Sequence, residues 1–196
     1  MLGIKTASYP NSFTSQTKQR SMNLSDVHPG LVIAGRIDGL SWQSKRGKIS
    51  MLSPYRVLDL TDEKGQLAGA MLADAGAEVI LIEPPGGSSA RTLGPWVEGK
   101  EGDPESSLRF WAYNRGKKGV VLDLDDEVDR AKFLDLVRTA DLVIESYQPG
   151  YMAEKGLSIE ELHKQNPGLI VTSITAFGQN GPKADWLATD LTIGAA

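Results

Sequence analysis

The sequence predicts an open α/β fold, Rossmann-like in layout, with a mostly parallel sheet and helices on both of its faces. Three observations predict it. Short apolar runs alternate with helix-spaced segments from Met51 onward. The runs are apolar at nearly every position, as in strands that are buried on both faces. Gly or Pro follows several of these segments. Strands and helices that alternate in this way form parallel sheets.

The predicted strands cover residues 56–60, 79–82, 119–124, 141–145 and 169–174. Each is a short run dominated by Val, Ile and Leu, residues that favour buried strands. Between the second and third strands, residues 84–107 carry Gly, Pro and Ser with little periodicity, which predicts a long loop. A loop of that length in a compact domain is often functional.

Helices are predicted between the strands. The first covers 66–75, has apolar residues at helical spacing and stops before Gly76. The second covers 125–139 and has an aspartate as its N-cap. Ser158 begins a shorter helix as the first residue of a capping box.

Composition and charge exclude several classes of protein. The chain of 196 residues has no cysteine and only two histidines, so a disulfide scaffold, a cysteine nucleophile and a metal site of thiolates or several histidines are not expected. A net charge of −4 argues against a nucleic-acid partner. No apolar run approaches the roughly 20 residues that span a bilayer, and no secretory signal is recognisable. We therefore expect a cytoplasmic protein with no membrane partner.

The charge divides the chain into residues 1–50 and 51–196. Residues 1–50 hold seven Lys or Arg and two Asp or Glu, a net charge of +5, whereas residues 51–196 carry −9. The first part is basic and rich in Ser, Thr, Asn and Gln, which predicts a disordered extension. A transit peptide and a spurious start upstream of Met51 are the alternatives. The second part stops inside a new apolar segment, 187–196, which predicts an incomplete domain, truncated at its C-terminal end.

Common nucleotide-binding motifs do not fit this sequence. The turn after the first strand lacks two of the glycines of a dinucleotide fingerprint, and Asp62 and Glu63 stand where a pyrophosphate would lie. Glu83 ends the second strand as a ribose-binding acid would, but that single match is weak. Neither a P-loop nor a G-x-S-x-G elbow is present.

Ligands of open α/β sheets bind at the carboxyl ends of the strands, near the point where the strand order reverses. The candidate binding loops are therefore 61–65, 84–107, 146–150 and 175–182.

An ordered series of motifs spans residues 54–196. Its members are VLDLT (57–61), LADAGAEVI (72–80), EPPGG (83–87), NRGKKGVVLDL (114–124), ADLVIE (140–145) and SITAFGQNGP (173–182). In this order and spacing they resemble the family III CoA-transferases, the CaiB/BaiF family. The resemblance implies that CoA moves between carboxylic acids. Acyl-CoA and a carboxylic acid would be the substrates, with no tightly bound cofactor and no metal, and the full-length protein would form an interlocked homodimer.

The resemblance also implies covalent catalysis. In this family an aspartate carboxylate attacks the acyl-CoA thioester, and a mixed anhydride and an aspartyl-CoA thioester follow. That aspartate follows a glycine well beyond the position that matches Asp190, and so beyond residue 196. Asp190 is expected near the active site without being the nucleophile, with a helix N-cap as the alternative. Residues 51–196 would then be the CoA-binding portion of the enzyme, inactive alone.

The resemblance places CoA contacts at four positions. Leu122 and Asp123 match positions that lie beside the adenine and ribose. Ser146 and Tyr147 stand where the family has Asn and an aromatic residue, so the ring is kept and the amide is lost.

Two phosphate contacts of the family are missing. Pro84 and Glu154 stand at or near positions that carry arginines for the nucleotide phosphates, which weakens phosphate binding. The cations expected to compensate are Arg91, Arg115, Lys117 and Lys118. A solvated basic turn is the alternative for residues 115–118.

Two other functions stay open. The acyl-CoA racemases of the family use a histidine immediately before the acid that matches Asp190, where this chain has Thr189, so half of the acid–base pair would be missing. A degenerate half of a two-half family protein would bind CoA without catalysis. The lost arginines at Pro84 and Glu154 and the altered turn after the first strand favour that second alternative.

Overall fold

The computed structural model describes residues 50–195, and within them the chain forms a five-stranded parallel sheet. The strands are β1 (Arg56–Leu60), β2 (Glu78–Glu83), β3 (Lys118–Val121), β4 (Leu142–Glu145) and β5 (Ile170–Ser173). Their order is β3-β2-β1-β4-β5, and every neighbouring pair is parallel. The predicted Rossmann-like fold class is confirmed. The expectations for the N-terminal extension lie outside the described residues.

Helices connect and flank these strands. They are α1 (Gln66–Asp74), α2 (Leu108–Asn114), α3 (Glu127–Val137), α4 (Tyr151–Glu154), α5 (Ile159–Gln165) and α6 (Asp190–Gly194), with a 3-10 helix at Ser89–Thr92. The Asp126 carboxylate caps α3 by accepting the backbone N–H groups of Val128 and Asp129, and Ser158 caps α5 as predicted. Glu161 does not complete a capping box at Ser158, because its carboxylate pairs with Lys164.

The core lies on both faces of the sheet because alternate strand residues point in opposite directions. On one face Leu58 and Val143 pack with Phe133 of α3 and Leu162 of α5, all nearly or fully buried. On the other face Val57 belongs to a smaller cluster beneath α1. The side chain of Asp59 points to this second face as well, where a buried carboxylate requires compensation.

The third strand is shorter than predicted. It ends at Val121, whereas the apolar pattern predicts strand over 119–124. The chain turns at Asp123, whose backbone N–H donates to Oδ2 of Asp129 and whose Oδ1 accepts the N–H of Asp125. Leu122 is nevertheless buried and its backbone N–H donates to the carbonyl of Glu83 in β2, so the apolar pattern continues past the last paired residue of β3.

The 84–107 segment is held on the fold by buried polar contacts. Arg91 forms a two-point ion pair with Glu83, with Nε–Oε1 and Nη2–Oε2 distances of 2.7 and 2.8 Å, and its guanidinium lies 4.0 Å from the centre of the Phe110 ring. The Ser107 hydroxyl caps α2 and donates to the carbonyl of Leu93. The predicted long loop is therefore a tethered segment that contains one 3-10 turn.

The last described element corrects one expectation. Thr189 is the N-cap of α6, and its hydroxyl accepts the N–H of Thr192. Asp190 is the first helical residue, so the capping role considered for it is wrong.

Within residues 50–195 no helix has the length and apolar character needed to cross a membrane. The same residues contain no cluster of His, Cys, Asp or Glu suited to a metal ion.

Candidate functional site

The carboxyl ends of β1 and β4 are neighbours in the sheet. Leu60 pairs with Glu145 in their register, so the chain leaves both strands side by side at residues 61–62 and 146–147. The strand order reverses at this point, since β2 and β3 lie on one side of β1 and β4 and β5 on the other. In open α/β folds, ligands bind in the crevice beside such a reversal. The region between residues 61–62 and 146–147 is called the crevice below.

Ser146 joins the two strand ends. Its hydroxyl accepts the backbone N–H of Asp62 at 2.8 Å and donates to Oδ1 of the same residue, also at 2.8 Å. Ser146 is 4% exposed, so water replaces neither bond easily. Ser146 therefore has a structural role here, because its short hydroxyl fits against the turn that follows β1.

The Asp62 carboxyl is held in its charged form. Burial acts to raise its pKa, but hydrogen bonds from the side chain and backbone of Lys64 and from the Ser146 hydroxyl outweigh burial. The net result is a pKa below the ordinary value. A carboxylate at the mouth of the crevice is therefore ionised at neutral pH.

Ser146→Ala is expected to raise the pKa of the Asp62 carboxyl, because the variant loses a hydroxyl that donates to the charged form. With the folded pKa below the unfolded one, ionisation of Asp62 stabilises the fold above the unfolded pKa. That contribution is lost as the pH falls through the folded pKa. In the variant this stabilisation should be smaller and should disappear at a higher pH.

NMR titration of the Asp62 carboxyl in the wild type and the variant measures the change in its pKa. Asp129, whose pKa is lowered by Lys132 elsewhere, should titrate unchanged, and an unchanged Asp62 would contradict the assignment.

Glu145 closes the inner side of the crevice. It is 3% exposed, its Oε2 accepts the backbone N–H of Tyr147 at 2.7 Å, and its Oε1 accepts Nε2 of Gln179 at 3.3 Å. The carboxylate thus connects the end of β4 to the loop after β5, which the sequence placed among the candidate binding loops.

Tyr147 forms an aromatic pair with Tyr151. The ring centres are 4.4 Å apart and the planes lie 26° from parallel. Burial, together with Tyr151, Glu145 and Asp62, raises the pKa of the Tyr147 phenol, so this ring stays neutral. Lys155 lies 5.2 Å from the Tyr151 ring centre and pairs with Asp125, which brings the segments after β3 and β4 together.

The other predicted CoA contacts divide between two regions. Leu122 belongs to the same apolar cluster as Tyr147, and Asp123 follows it in the turn after β3. Arg115 lies elsewhere, paired with Asp74 at the C-terminal end of α1, with an Nη2–Oδ2 distance of 2.6 Å. Since α1 starts near the carboxyl edge of the sheet and runs back toward the amino edge, Arg115 is remote from the crevice.

The remaining candidate cations already have protein partners. The side chain of Lys117 is 1% exposed and pairs with Asp59, with an Nζ–Oδ2 distance of 2.7 Å. Lys118 pairs with Glu78 at the start of β2, and Arg91 pairs with Glu83. Pro84 and Glu154, the two departures from the family arginines, are both exposed.

Sequence reasoning missed the residues that organise the crevice from inside. Asp59 and Gln66 are fully buried polar residues beside the turn after β1, and Glu145 is buried at the end of β4. One signal was available for Asp59, because an acid within an apolar strand must find a buried partner.

Taken together, the parallel sheet and its reversal at β1 and β4 define a doubly wound α/β protein, with polar and aromatic residues beside the reversal where ligands of such folds bind. Residues 52–196 match the family model CoA-transferase family III. The chain belongs to this family, and the resemblance that the motifs indicate is confirmed.

Similar proteins and structures cover most of this chain. Succinyl-CoA:(R)-benzylsuccinate CoA-transferase subunit BbsE of Thauera aromatica is 43% identical over 143 residues, 73% of this chain and 35% of that protein. Acetyl-CoA:oxalate CoA-transferase of Acetobacter aceti is 48% identical over 71% of this chain and 35% of its own. A CAIB/BAIF family protein from Brucella suis has a crystal structure with a TM-score of 0.67 and 38% identity, covering 74% of this chain and 39% of that one. The chain thus spans about a third of the length of these curated relatives.

Proposed function

We propose that this chain is the CoA-binding part of a CoA-transferase that moves CoA between carboxylic acids. The proposal is carried by the position of Ser146 and Tyr147. These residues directly follow β4 and lie beside the 61–65 turn, where the strand order reverses. The relatives named above combine succinyl-CoA or acetyl-CoA with different acids in their names. These names support a carboxylic acid as the class of acceptor.

Within this site we assign the nucleotide end of CoA to four residues. The Tyr147 ring, supported by Tyr151, offers an aromatic surface for the adenine. Leu122 contributes apolar contact beside it, and the Asp123 carboxylate accepts from ribose hydroxyls. Ser146 holds the turn against which the nucleotide lies. Arg115 and Lys117 are left out of this set because their charges are engaged elsewhere.

The covalent chemistry requires an aspartate that we place beyond residue 196, with Asp190 near it. Its carboxylate attacks the acyl-CoA carbonyl, the C–S bond breaks, CoA is expelled as a thiolate, and the acyl group remains joined to the aspartate as a mixed anhydride. The thiolate then attacks the aspartyl carbonyl, releases the first acid and leaves an aspartyl-CoA thioester. The incoming acid carries out the same steps in reverse. By holding the nucleotide, the chain described here keeps the thiolate at the reaction centre. We expect the full-length protein to be an interlocked homodimer.

Tyr147→Leu is expected to weaken CoA binding about tenfold, because stacking on an aromatic ring contributes roughly 1–3 kcal/mol per base. Isothermal titration of the full chain with CoA measures this. Tyr55→Leu is the matched control, since Tyr55 is 49% exposed and precedes β1 at the opposite edge of the sheet. Equal affinities in the two variants, or no binding of CoA by the wild type, would overturn the proposed site.

A non-catalytic CoA-binding half is the second candidate, favoured by Pro84 and Glu154 in place of arginines. The coding frame after codon 196 separates the two. A Gly-Asp pair downstream supports the transferase, and a frame without it supports the binding half. A racemase has less support, because Thr189 stands at the position of its histidine and caps α6.

A further inference from the structure

The ammonium of Lys117 is buried between α1, α2 and the sheet. It donates to Oδ2 of Asp59 at 2.7 Å, to the backbone carbonyl of Gln66 at 2.9 Å and to Oδ1 of Asn114 at 2.9 Å. An ammonium has three protons to donate, and these three bonds use them all. Lys117 therefore has a defined structural position and no free proton for a phosphate.

Two of its partners lie on either side of the turn between β1 and α1. Asp59 precedes the turn as the fourth residue of β1, and Gln66 follows it as the first residue of α1. Oδ1 of Asp59 in turn accepts the backbone N–H and the hydroxyl of Thr61, at 3.0 and 2.6 Å. Lys117 thus bonds to residues at both ends of the turn, although it is 58 residues from Asp59 in sequence.

The same turn carries Asp62 to Ser146 at the mouth of the crevice. A continuous series of bonds runs from the ammonium through the Asp59 carboxylate and Thr61 to the turn. We infer that Lys117 is a positioning residue, which sets the conformation of the 61–65 turn where it meets Ser146. For its effect on CoA, this inference rests on the proposed function.

Maintaining a charge at this place is costly. Burial lowers the pKa of Lys117, and the charge and hydrogen bond of Asp59 oppose that effect only in part. Packing alone is served as well or better by apolar side chains of similar volume. An ammonium adds three directed bonds, which fix where the turn begins and ends. The geometry therefore points to positioning as the reason for a charge here.

Lys117→Met tests the inference through amide hydrogen exchange of the full chain. The backbone N–H groups of Thr61 and Asp62 should exchange at least about tenfold faster relative to strand amides such as that of Val143, because local opening is then less costly than global unfolding. Val137→Ala is the control, since it removes buried volume at the far end of α3. This control should speed amide exchange in general, without a larger effect at Thr61 and Asp62 than at strand amides.

Two outcomes would overturn the inference. One is an exchange pattern in Lys117→Met that matches the control. The other, which needs no variant, is wild-type exchange at Thr61 and Asp62 as fast as in unstructured peptide. Asp59→Asn, which keeps one acceptor oxygen and removes the charge, should reproduce the selective effect.

Titration with CoA links the turn to the site. Lys117→Met should weaken CoA binding at least about tenfold, and Val137→Ala by less than about twofold, at a temperature where both are folded. Equal CoA affinities of Lys117→Met and Val137→Ala would overturn the link between the turn and the site. If the wild type binds no CoA, the proposed function fails, while the amide exchange still decides whether Lys117 positions the turn.

Discussion

Gly69→Ala is expected to destabilise the protein by about 3 kcal/mol, through overpacking and disruption of a buried ion pair. A Cβ at Gly69 would lie 2.0 Å from Oδ2 of Asp59 and 2.9 Å from Nζ of Lys117. Neither group can move into solvent, because both side chains are almost fully buried. Helix propensity alone predicts the opposite sign, since Ala is favoured over Gly by about 1 kcal/mol in a helix.

Urea denaturation of the Gly69 variant measures the change. Gly119→Ala is the matched control, because no heavy atom beyond Gly119 and its two chain neighbours lies within 4 Å of an ideal Cβ at this position in β3. That variant should be as stable as the wild type or slightly more so. A Gly69 variant with wild-type stability would mean that α1 does not approach the Asp59–Lys117 pair as closely as described.

Arg91→Ala is expected to cost about 3 kcal/mol, because it leaves the Glu83 carboxylate buried without its cation. The side chains of Arg91 and Glu83 are 11% and 7% exposed. The variant also loses the contact with the Phe110 ring and the bond to Glu105 at 3.0 Å. Since these contacts hold the 84–107 segment, its susceptibility to proteolysis should rise together with the loss of stability.

Arg115→Ala is the matched control for Arg91. Arg115 and Asp74 are 52% and 55% exposed, and exposed ion pairs contribute less than about 1 kcal/mol. Its removal should change stability little and leave cleavage within residues 84–107 as in the wild type. Equal effects of the two substitutions would show that Arg91 does not hold the segment.

The strands were predictable because their signal is local. The apolar runs at 56–60 and 141–145 became β1 and β4 to within one residue, and Ser158 caps its helix as predicted. The end of β3 was not predictable in the same way. Leu122 and Leu124 continue the apolar pattern past the end of β3 and are both buried, and the type of a buried apolar residue does not show whether it lies inside a strand or just after one.

The roles of the basic residues at 115–118 were not predictable from local pattern. Arg115 and Lys118 have surface partners, as the solvated alternative requires, whereas Lys117 folds inward. Which of the consecutive cations is buried depends on Asp59, 58 residues away in sequence. Periodicity along the chain carries no information about such a partner, although the acid in β1 indicated that one exists.

The buried pair also constrains the order in which the chain can fold. The Asp59 carboxylate cannot leave water at acceptable cost before an opposite charge reaches it, and that charge arrives only when α2 brings the chain back to Lys117. We therefore expect the packing of α1 on the sheet to accompany the closure of the chain between Asp59 and Lys117, 58 residues apart. Residues 56–121 are expected to assemble in a single cooperative event, with β4 and β5 joining an edge that is already complete.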